Sequence, residues 1–276
     1  MGMYKAVSKN SDSDMKKAVV LPILLFCCAL GTSQWQNAYE AKLHIDGTDT
    51  LRYRILYPNN FDSTKKYPLV LFLHGGGERG NDNEIQLVHG GKLFATDYLK
   101  ERYPAIVIFP QCPREDYWSK VEVDRSTYPL SLNFNYEGGP TKALGMVMDL
   151  LDRSLAESHV DPERVYLMGL SMGAMGSFEL LARRPDTFAA AIPICGGGDP
   201  KAVEAYAKQT SLWIIHGARD NVVDPQQSLE MVSALLGAGA HPRMSLYEFA
   251  NHNSWDPALA EPELLPWLFS HKRTMH

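Results

Sequence analysis

The residues best suited to chemistry are a serine between two glycines, Gly169-x-Ser171-x-Gly173. An apolar strand is predicted before this motif and a helix after it, which is the arrangement of a nucleophile elbow. Small flanking residues suit a tight turn, and the helix directs free N–H groups and its positive dipole end towards the serine oxygen. The motif alone is weak evidence for a nucleophile, and the predicted strand and helix on either side strengthen that evidence. It indicates nucleophilic acyl transfer.

A serine nucleophile needs a base, which is usually a histidine oriented by a buried carboxylate. In chains with this elbow, the carboxylate and then the histidine follow the serine. Of the five histidines after Ser171, His252 lies in a loop between the last strand and the last helix. There an imidazole can reach back over the sheet, so we predict His252 as the base; a solvated loop histidine is the alternative. His216 ends a strand and is predicted to be structural.

Two aspartates could orient the base, Asp220 and Asp224. Asp220 closely follows a predicted strand. Asp224 precedes Pro225, and an aspartate before a proline at the first helical position is typical of a helix cap. Because Asp224 has this structural role, Asp220 is the predicted member of the triad.

The oxyanion formed during acyl transfer requires two N–H donors. Met172, next after the serine, is one predicted donor. The other is predicted in the glycine loop after an apolar strand, at Gly76, with Gly77 as the alternative.

The same loop fits a dinucleotide-binding pattern, Gly75-x-Gly77-x-x-Gly80. The next strand ends in Pro110-Gln111, without the acidic residue that would hold a ribose, so this interpretation is discounted. No phosphate-binding loop or metal-ligand spacing is found either. We therefore expect no cofactor and no metal.

The elements that position these residues alternate between strands and helices, which predicts a mostly parallel, doubly wound α/β sheet flanked by helices. Strands are predicted at residues 41–46, 50–57, 68–73, 105–109, 189–194, 212–215 and 244–249, besides the one that leads into Ser171. Helices are predicted at residues 84–99, 141–158, 225–236 and 262–270 and directly after Ser171. The whole pattern predicts one domain at residues 34–276.

The irregular stretch at residues 111–140 is rich in aromatic side chains, and loops of this length are usually functional. Trp118 and its neighbours could stack on a sugar or a phenolic acyl group, or could instead pack the loop against the domain. Gln111, Trp118 and Trp255 are the residues expected to contact the substrate, and Trp255 is also expected to lie beside His252.

Residues 1–33 have the pattern of a signal peptide. Met15-Lys16-Lys17 supplies a basic start, and residues 18–30 form an apolar run too short to span a membrane comfortably. Met15 is therefore an alternative start, and the protein is expected to be secreted or periplasmic. A lipid anchor at Cys27 or Cys28 is the second choice, because the small residue usual before such a cysteine is missing.

The composition is that of a globular protein, with 276 residues and a net charge of −5. No basic run suggests a nucleic-acid partner, and no stable membrane insertion is expected after cleavage of the leader. Cys112 and Cys195 each follow a predicted strand, and these two strands are three positions apart in the expected sheet. We therefore predict two free, buried thiols.

Six motifs together resemble the α/β-hydrolase superfamily. More narrowly, the chain is similar to secreted bacterial esterases of the predicted-peptidase or phospholipase/carboxylesterase-like type, which are related to the feruloyl and acetyl esterases of the first carbohydrate-esterase family. The matching segments are residues 73–83, 110–113 with Trp118, 169–174, 193–197, 216–220 and 252–256. One departure is Ala174, where relatives often carry a second glycine; we expect it to affect packing only.

This resemblance implies the triad Ser171, Asp220 and His252. It also implies an exported serine hydrolase that cleaves carboxylic esters through an acyl-enzyme, with a small-molecule or oligosaccharide ester as substrate. A serine peptidase of the prolyl-oligopeptidase type on the same fold is the alternative. A non-catalytic binding protein is a third possibility, which the ordered triad argues against.

Overall fold

A computed structural model describes residues 34–273 of the chain. The predicted leader, with Met15, Cys27 and Cys28, lies outside the described residues. The strands are β1 Glu40–Asp46, β2 Asp49–Leu56, β3 Tyr67–Leu73, β4 Ile106–Gln111, β5 Val121–Asp124, β6 Ser131–Phe134, β7 Val160–Leu170, β8 Ala190–Ile194, β9 Ser211–Gly217 and β10 Arg243–Tyr247.

An eight-stranded sheet forms the centre of the fold, in the order β1-β2-β4-β3-β7-β8-β9-β10. The pairings β1 with β2 and β2 with β4 are antiparallel, and the pairings from β4 to β10 are parallel. The prediction of a mostly parallel doubly wound sheet is confirmed. In such a sheet the carboxyl ends of the parallel strands share one edge, where ligands bind.

The helices cover both faces of this sheet. They are α1 Gly91–Ala95, α2 Asp97–Arg102, α3 Lys142–Leu155, α4 Met172–Arg183, α5 Pro225–Gly237, α6 Trp255–Leu259 and α7 Leu264–Ser270. Every residue of β3 is buried, and alternate side chains enter the two cores: Leu71 and Leu73 pack into one and Val70 and Phe72 into the other. This explains the continuous apolar run, since a strand buried on both faces needs no polar side.

The prediction of a single helix at residues 84–99 is wrong. The segment forms a 3-10 turn, Ile85–Leu87, and then the short helices α1 and α2. Gly90 has a φ of +87°, a left-handed conformation that cannot continue a right-handed helix. A Cβ atom there would lie 2.8 Å from the Phe72 ring, so only glycine fits.

The stretch at residues 111–140 contains a short hairpin, β5 paired with β6, in place of a wholly irregular loop. Glu179 on α4 anchors its start, because one carboxylate oxygen accepts from Ser119 Oγ at 2.9 Å and from the Lys120 N–H at 2.6 Å. Arg183 anchors its end by donating to the carbonyls of Tyr136 and Gly138. The insertion is thus fixed to the helix that follows Ser171.

Cys112 and Cys195 are free and buried, as predicted. They follow β4 and β8, which stand three positions apart in the sheet. Within residues 34–273, no helix has the length and apolar character needed to cross a membrane.

Candidate active site

Ser171 occupies the turn between β7 and α4. Its φ of 52° and ψ of −117° lie in a region that non-glycine residues rarely adopt. A Cβ on Gly169 would lie 2.3 Å from the Gly173 carbonyl oxygen, and one on Gly173 would lie 1.9 Å from the Leu73 carbonyl oxygen. Both glycines are therefore required by close backbone approach, which lets the serine stand at the sheet edge.

Three of the predicted residues lie in one hydrogen-bonded row. Ser171 Oγ lies 2.9 Å from His252 Nε2, and His252 Nδ1 lies 2.8 Å from Asp220 Oδ2. Ser171 comes from the β7–α4 turn, Asp220 from the loop after β9, and His252 from the loop after β10. This is the geometry in which a histidine can take the serine proton while a carboxylate fixes its tautomer.

Asp220 is 5% exposed, and both of its oxygens are fully engaged. Oδ1 accepts from the N–H groups of Val222 at 2.9 Å and Val223 at 3.0 Å. Oδ2 accepts from His252 and also faces His216 Nε2 at 3.1 Å. Burial works to raise the pKa of Asp220, but the hydrogen bonds from His216 and His252 outweigh it and hold the pKa well below its usual range. Asp220 is therefore a carboxylate.

Asp224 lies apart from this row and caps α5, where its side chain accepts from the Gln226 N–H at 2.9 Å. The helix cap predicted for Asp224 is thus confirmed.

The predicted oxyanion donors lie on the two segments that meet at the serine. Met172 begins α4, so its N–H has no acceptor within the helix. Gly76 begins a 3-10 turn, Gly76–Glu78, in the loop after β3. A Cβ on Gly75 would lie 2.8 Å from Leu170 Cδ1, whereas one on Gly76 would meet no atom within 4 Å. The loop therefore abuts the elbow at Gly75 and has open space at Gly76.

His74 holds this glycine loop in place. Its Nδ1 lies 2.6 Å from the Gly75 carbonyl oxygen, and its Nε2 accepts from the Cys112 N–H at 3.0 Å. Burial lowers the pKa of His74 to about 4, against the opposing effect of the Gly75 hydrogen bond. His74 is therefore a neutral imidazole that joins the loop to the end of β4.

The expectation that Trp118 and Gln111 contact the substrate is wrong, because Trp118 is 0% and Gln111 1% exposed. Trp118 packs against Gly176 of α4, and its Nε1 donates to the His74 carbonyl at 3.1 Å. Gln111 Oε1 accepts from the Asn83 N–H at 2.7 Å. Both side chains therefore bond to the segment that contains the glycine loop and support it. The alternative that aromatic residues pack the insertion onto the domain describes Trp118 correctly.

Trp255 does lie beside the base, with its ring centroid 5.3 Å from that of His252 and 5.1 Å from that of His89. Two other aromatic rings lie exposed on segments next to the row. Tyr128 is 64% exposed in the β5–β6 hairpin, whose Leu130 N–H donates to the Val222 carbonyl. Phe249 is 72% exposed in the loop that leads to His252.

One group of potential metal ligands exists among the described residues. Donor atoms of Cys195, Asp220 and His252 lie within 4.8 Å of one another. Asp220 and His252 already bond to each other, and burial raises the pKa of the Cys195 thiol, which favours its protonated form. The group is thus explained by two residues of the predicted triad and a buried thiol close to them.

Sequence reasoning missed the contact between His216 and the predicted triad. His216 is the last residue but one of β9, is fully buried, and bonds Asp220 Oδ2, the same oxygen that accepts from His252. Its position four residues before Asp220, near the end of the strand that the Asp220 loop follows, is the signal that could have suggested this contact.

The sequence model of the phospholipase/carboxylesterase family matches residues 61–261. Among curated relatives, a protein named probable dipeptidyl-peptidase 5 from Aspergillus terreus is 24% identical and aligns with 82% of this chain. A protein named probable acetylxylan esterase A from Aspergillus fumigatus is 28% identical over 76% of this chain. The chain covers 34% of the first relative and 51% of the second.

Among solved structures, a thermostable esterase is 34% identical with a TM-score of 0.76, and the match covers 86% of this chain and 64% of that one. A ferulic acid esterase from Anaeromyces mucronatus has a TM-score of 0.56 at 17% identity, over 78% of this chain and 84% of that one. At that identity the likeness shows a common fold alone.

Proposed function

The chain belongs to the phospholipase/carboxylesterase family of α/β-hydrolases, and on that premise we propose that it hydrolyses carboxylic esters with Ser171, His252 and Asp220 as its triad. The observation that carries the proposal is the row in which Ser171 Oγ lies 2.9 Å from His252 Nε2 and His252 Nδ1 lies 2.8 Å from Asp220. A relative 34% identical that is an esterase supports the same reaction class.

The first half of the proposed reaction forms an acyl-enzyme. Ser171 Oγ attacks the ester carbonyl carbon while its proton passes to His252 Nε2. The N–H groups of Met172 and Gly76 donate to the oxyanion of the tetrahedral intermediate. Asp220 stabilises the imidazolium through Nδ1–H. When the intermediate collapses, the C–O bond to the alcohol breaks and His252 gives its proton to the leaving oxygen.

The second half repeats these steps with water. His252 Nε2 takes one water proton as the water oxygen attacks the acyl carbon, and the same N–H groups bind the oxyanion. The bond to Ser171 Oγ then breaks, and His252 returns the proton to the serine. The carboxylic acid leaves, and the row returns to its resting state.

We propose a carbohydrate-linked acetyl or feruloyl ester as the substrate. A relative named acetylxylan esterase, 28% identical over 76% of this chain, supports the acetyl ester, and the fold shared with a ferulic acid esterase is compatible with the aromatic acyl group. With Trp118 buried, the candidate rings are the half-buried Trp255 beside His252 and the exposed Tyr128 and Phe249 on neighbouring segments. Flat rings of this kind can stack on a sugar or a phenolic acyl group.

We also propose that residues 34–276 are one catalytic domain and that residues 1–33 direct its export. The basic start and the short apolar run at residues 18–30 support this proposal. The N-terminus of the protein recovered from the medium or periplasm is the test. We expect it near residue 34, without a lipid; an intact N-terminus on protein retained inside the cell would contradict export.

A serine peptidase is the second candidate. The similarity to the protein named probable dipeptidyl-peptidase 5, over 82% of this chain, favours it. The same nucleophile, base and oxyanion donors could serve either reaction, so the substrate and not the triad separates the two functions.

The deciding experiment combines active-site labelling with turnover. A fluorophosphonate should modify one serine in the wild-type protein and none in Ser171→Ala, with ester turnover lost in parallel. Ser177→Ala is the matched control, because Ser177 is a buried serine on the same helix whose Oγ donates to the Gly173 carbonyl. Labelling that persists in Ser171→Ala would refute the assignment.

A further inference from the structure

His216 stands at the centre of a chain of short contacts behind the predicted triad. Its Nε2 lies 3.1 Å from Asp220 Oδ2 and 3.1 Å from the Val223 carbonyl oxygen. Its Nδ1 lies 2.7 Å from Ser228 Oγ, which in turn lies 2.7 Å from the Gly196 carbonyl oxygen. His216 is fully buried and Ser228 is 1% exposed, so these partners must satisfy one another.

The protons of these contacts can be counted. Carbonyl and ionised carboxylate oxygens can only accept. Nε2 faces one of each, so Nε2 must carry a proton. The Gly196 carbonyl can only accept, and Ser228 Oγ is its one donor among the described residues, so we assign the single hydroxyl proton of Ser228 to Gly196. On that assignment Ser228 Oγ offers only a lone pair to Nδ1, and Nδ1 also carries a proton.

We propose that His216 is a buried imidazolium that acts as a positioning residue for the triad. This inference rests on the proposed role of Asp220 in orienting His252. The positive charge of His216 balances the buried carboxylate, which would otherwise be costly to bury. Its Nε2 also donates to Oδ2, the same oxygen that accepts from His252, and so fixes the carboxylate in the orientation that His252 needs.

The charge of His216 also moderates the proposed base. A cation that shares Asp220 Oδ2 with His252 opposes a second positive charge on His252, so it disfavours protonation of His252. Other titratable groups belong to the elements around His216: Cys195 follows β8, Asp224 caps α5 and Arg219 precedes Asp220. Cys195 is a buried thiol with a raised pKa, whereas Asp224 and Arg219 are exposed. None of these three bonds the His216 ring.

The direct test is nitrogen-15 NMR of the histidine rings in the folded protein near neutral pH. We expect both His216 nitrogens to carry protons. His74 is an internal reference, because it is also buried yet should show one protonated nitrogen, Nδ1, and one that accepts from the Cys112 N–H. An unprotonated nitrogen on His216 would overturn the proposal, whether or not the protein hydrolyses esters.

Two variants test the effect on the site. His216→Gln keeps a neutral donor towards Asp220, and Ser228→Ala removes the acceptor that holds the Nδ1 proton. In Ser228→Ala we expect one unprotonated His216 nitrogen in the same spectrum. In both variants the acid limb of the kcat/KM profile should move to higher pH, because a positive charge near His252 is lost.

Ser177→Ala, which removes a buried hydroxyl that does not touch His216, should leave the His216 signals and the acid limb unchanged. An unshifted acid limb in both test variants would overturn the coupling to His252. The ring spectrum of the wild type needs neither a variant nor a substrate. A protein without ester turnover would therefore refute the proposed function, while the spectrum would still show whether His216 is an imidazolium.

Discussion

Ser171 and His252 are expected to act as one chemical unit, because the serine is a poor nucleophile until the histidine takes its proton. Their 2.9 Å contact is the step that each single variant removes. We therefore expect Ser171→Ala, His252→Ala and the double variant to lose a similar factor in kcat, on the order of 10⁴ or more. The measurement is turnover of a p-nitrophenyl ester by the folded protein. If the two single losses multiplied in the double variant, Ser171 and His252 would not act as one unit.

Asp220 and Asp224 should separate catalysis from stability. Asp220→Asn should keep the fold but lower kcat by roughly 10³ to 10⁴, because His252 takes the wrong tautomer and its cation is left unpaired. Asp224→Ala should leave kcat nearly unchanged and lower the free energy of unfolding by about 1 kcal/mol, the usual cost of a lost helix cap. Tm and kcat for both variants decide the matter, and the reverse pattern would exchange the two roles.

At the residue scale, the sequence predicted what depends on local order along the chain. Ser171 stands in a strand–turn–helix motif, and Asp220 and His252 follow later strands, so each could be placed at the sheet edge. The burial of Trp118 could not be predicted, because it depends on its fit against Gly176, a residue 58 positions away that lacks a side chain. The contact of His216 with Asp220 depends in the same way on how the loop after β9 folds back.

At the element scale, alternation of apolar strands and amphipathic helices predicted the sheet, while the segment at residues 84–99 misled. Its apolar residues have helical spacing, but Gly90 faces Phe72 across a gap too small for a Cβ. Tertiary packing therefore overrides the local helical preference. The hairpin β5–β6 was missed for a related reason, since Glu179 and Arg183 of α4 fix its two ends.

A substitution of Trp118, which supports the glycine loop, should destabilise the protein as a substitution in the hydrophobic core does. Trp118→Ala should lower the free energy of unfolding by about 3–5 kcal/mol, because a fully buried indole is replaced by a cavity. It should also lower kcat/KM for acetyl and feruloyl esters in similar proportion. Tyr98→Ala is the control, since this ring is 73% exposed on α2 and its loss should change stability by less than about 0.5 kcal/mol. A selective loss of feruloyl turnover in Trp118→Ala would mean that its ring reaches the substrate.

His74 should make the stability of the same loop depend on pH. Its pKa is about 4 in the folded protein against 6.5 as the ordinary value, so the unfolded chain binds more protons between these values. Stability should therefore fall as pH decreases through this window, by on the order of 3 kcal/mol in full. Urea unfolding at both ends of the window measures this, and His74→Gln should remove that part of the slope. An unchanged slope in the variant would contradict a neutral, buried His74.

At the scale of the whole molecule, the relatives carry names from two reaction classes, so the proposed preference for esters has to be argued from chemistry. An amide needs its leaving nitrogen protonated and the peptide held in register by remote binding energy. An ester has a better leaving group, so a nucleophile, a base and two oxyanion donors supply most of what its hydrolysis needs. The esterase structure that is 34% identical to this chain, with a TM-score of 0.76, is consistent with the proposed preference.

We therefore expect one preparation of the protein to hydrolyse p-nitrophenyl acetate clearly, and methyl ferulate or acetylated xylan fragments as well. Prolyl and aminoacyl p-nitroanilides should be cleaved little or not at all. Ser171→Ala, assayed on both substrate sets, excludes a contaminating hydrolase. Efficient anilide cleavage with feeble ester turnover would replace the esterase by the peptidase. Since both reactions would use Ser171, His252 and Asp220, that outcome would change the substrate and leave the triad unchanged.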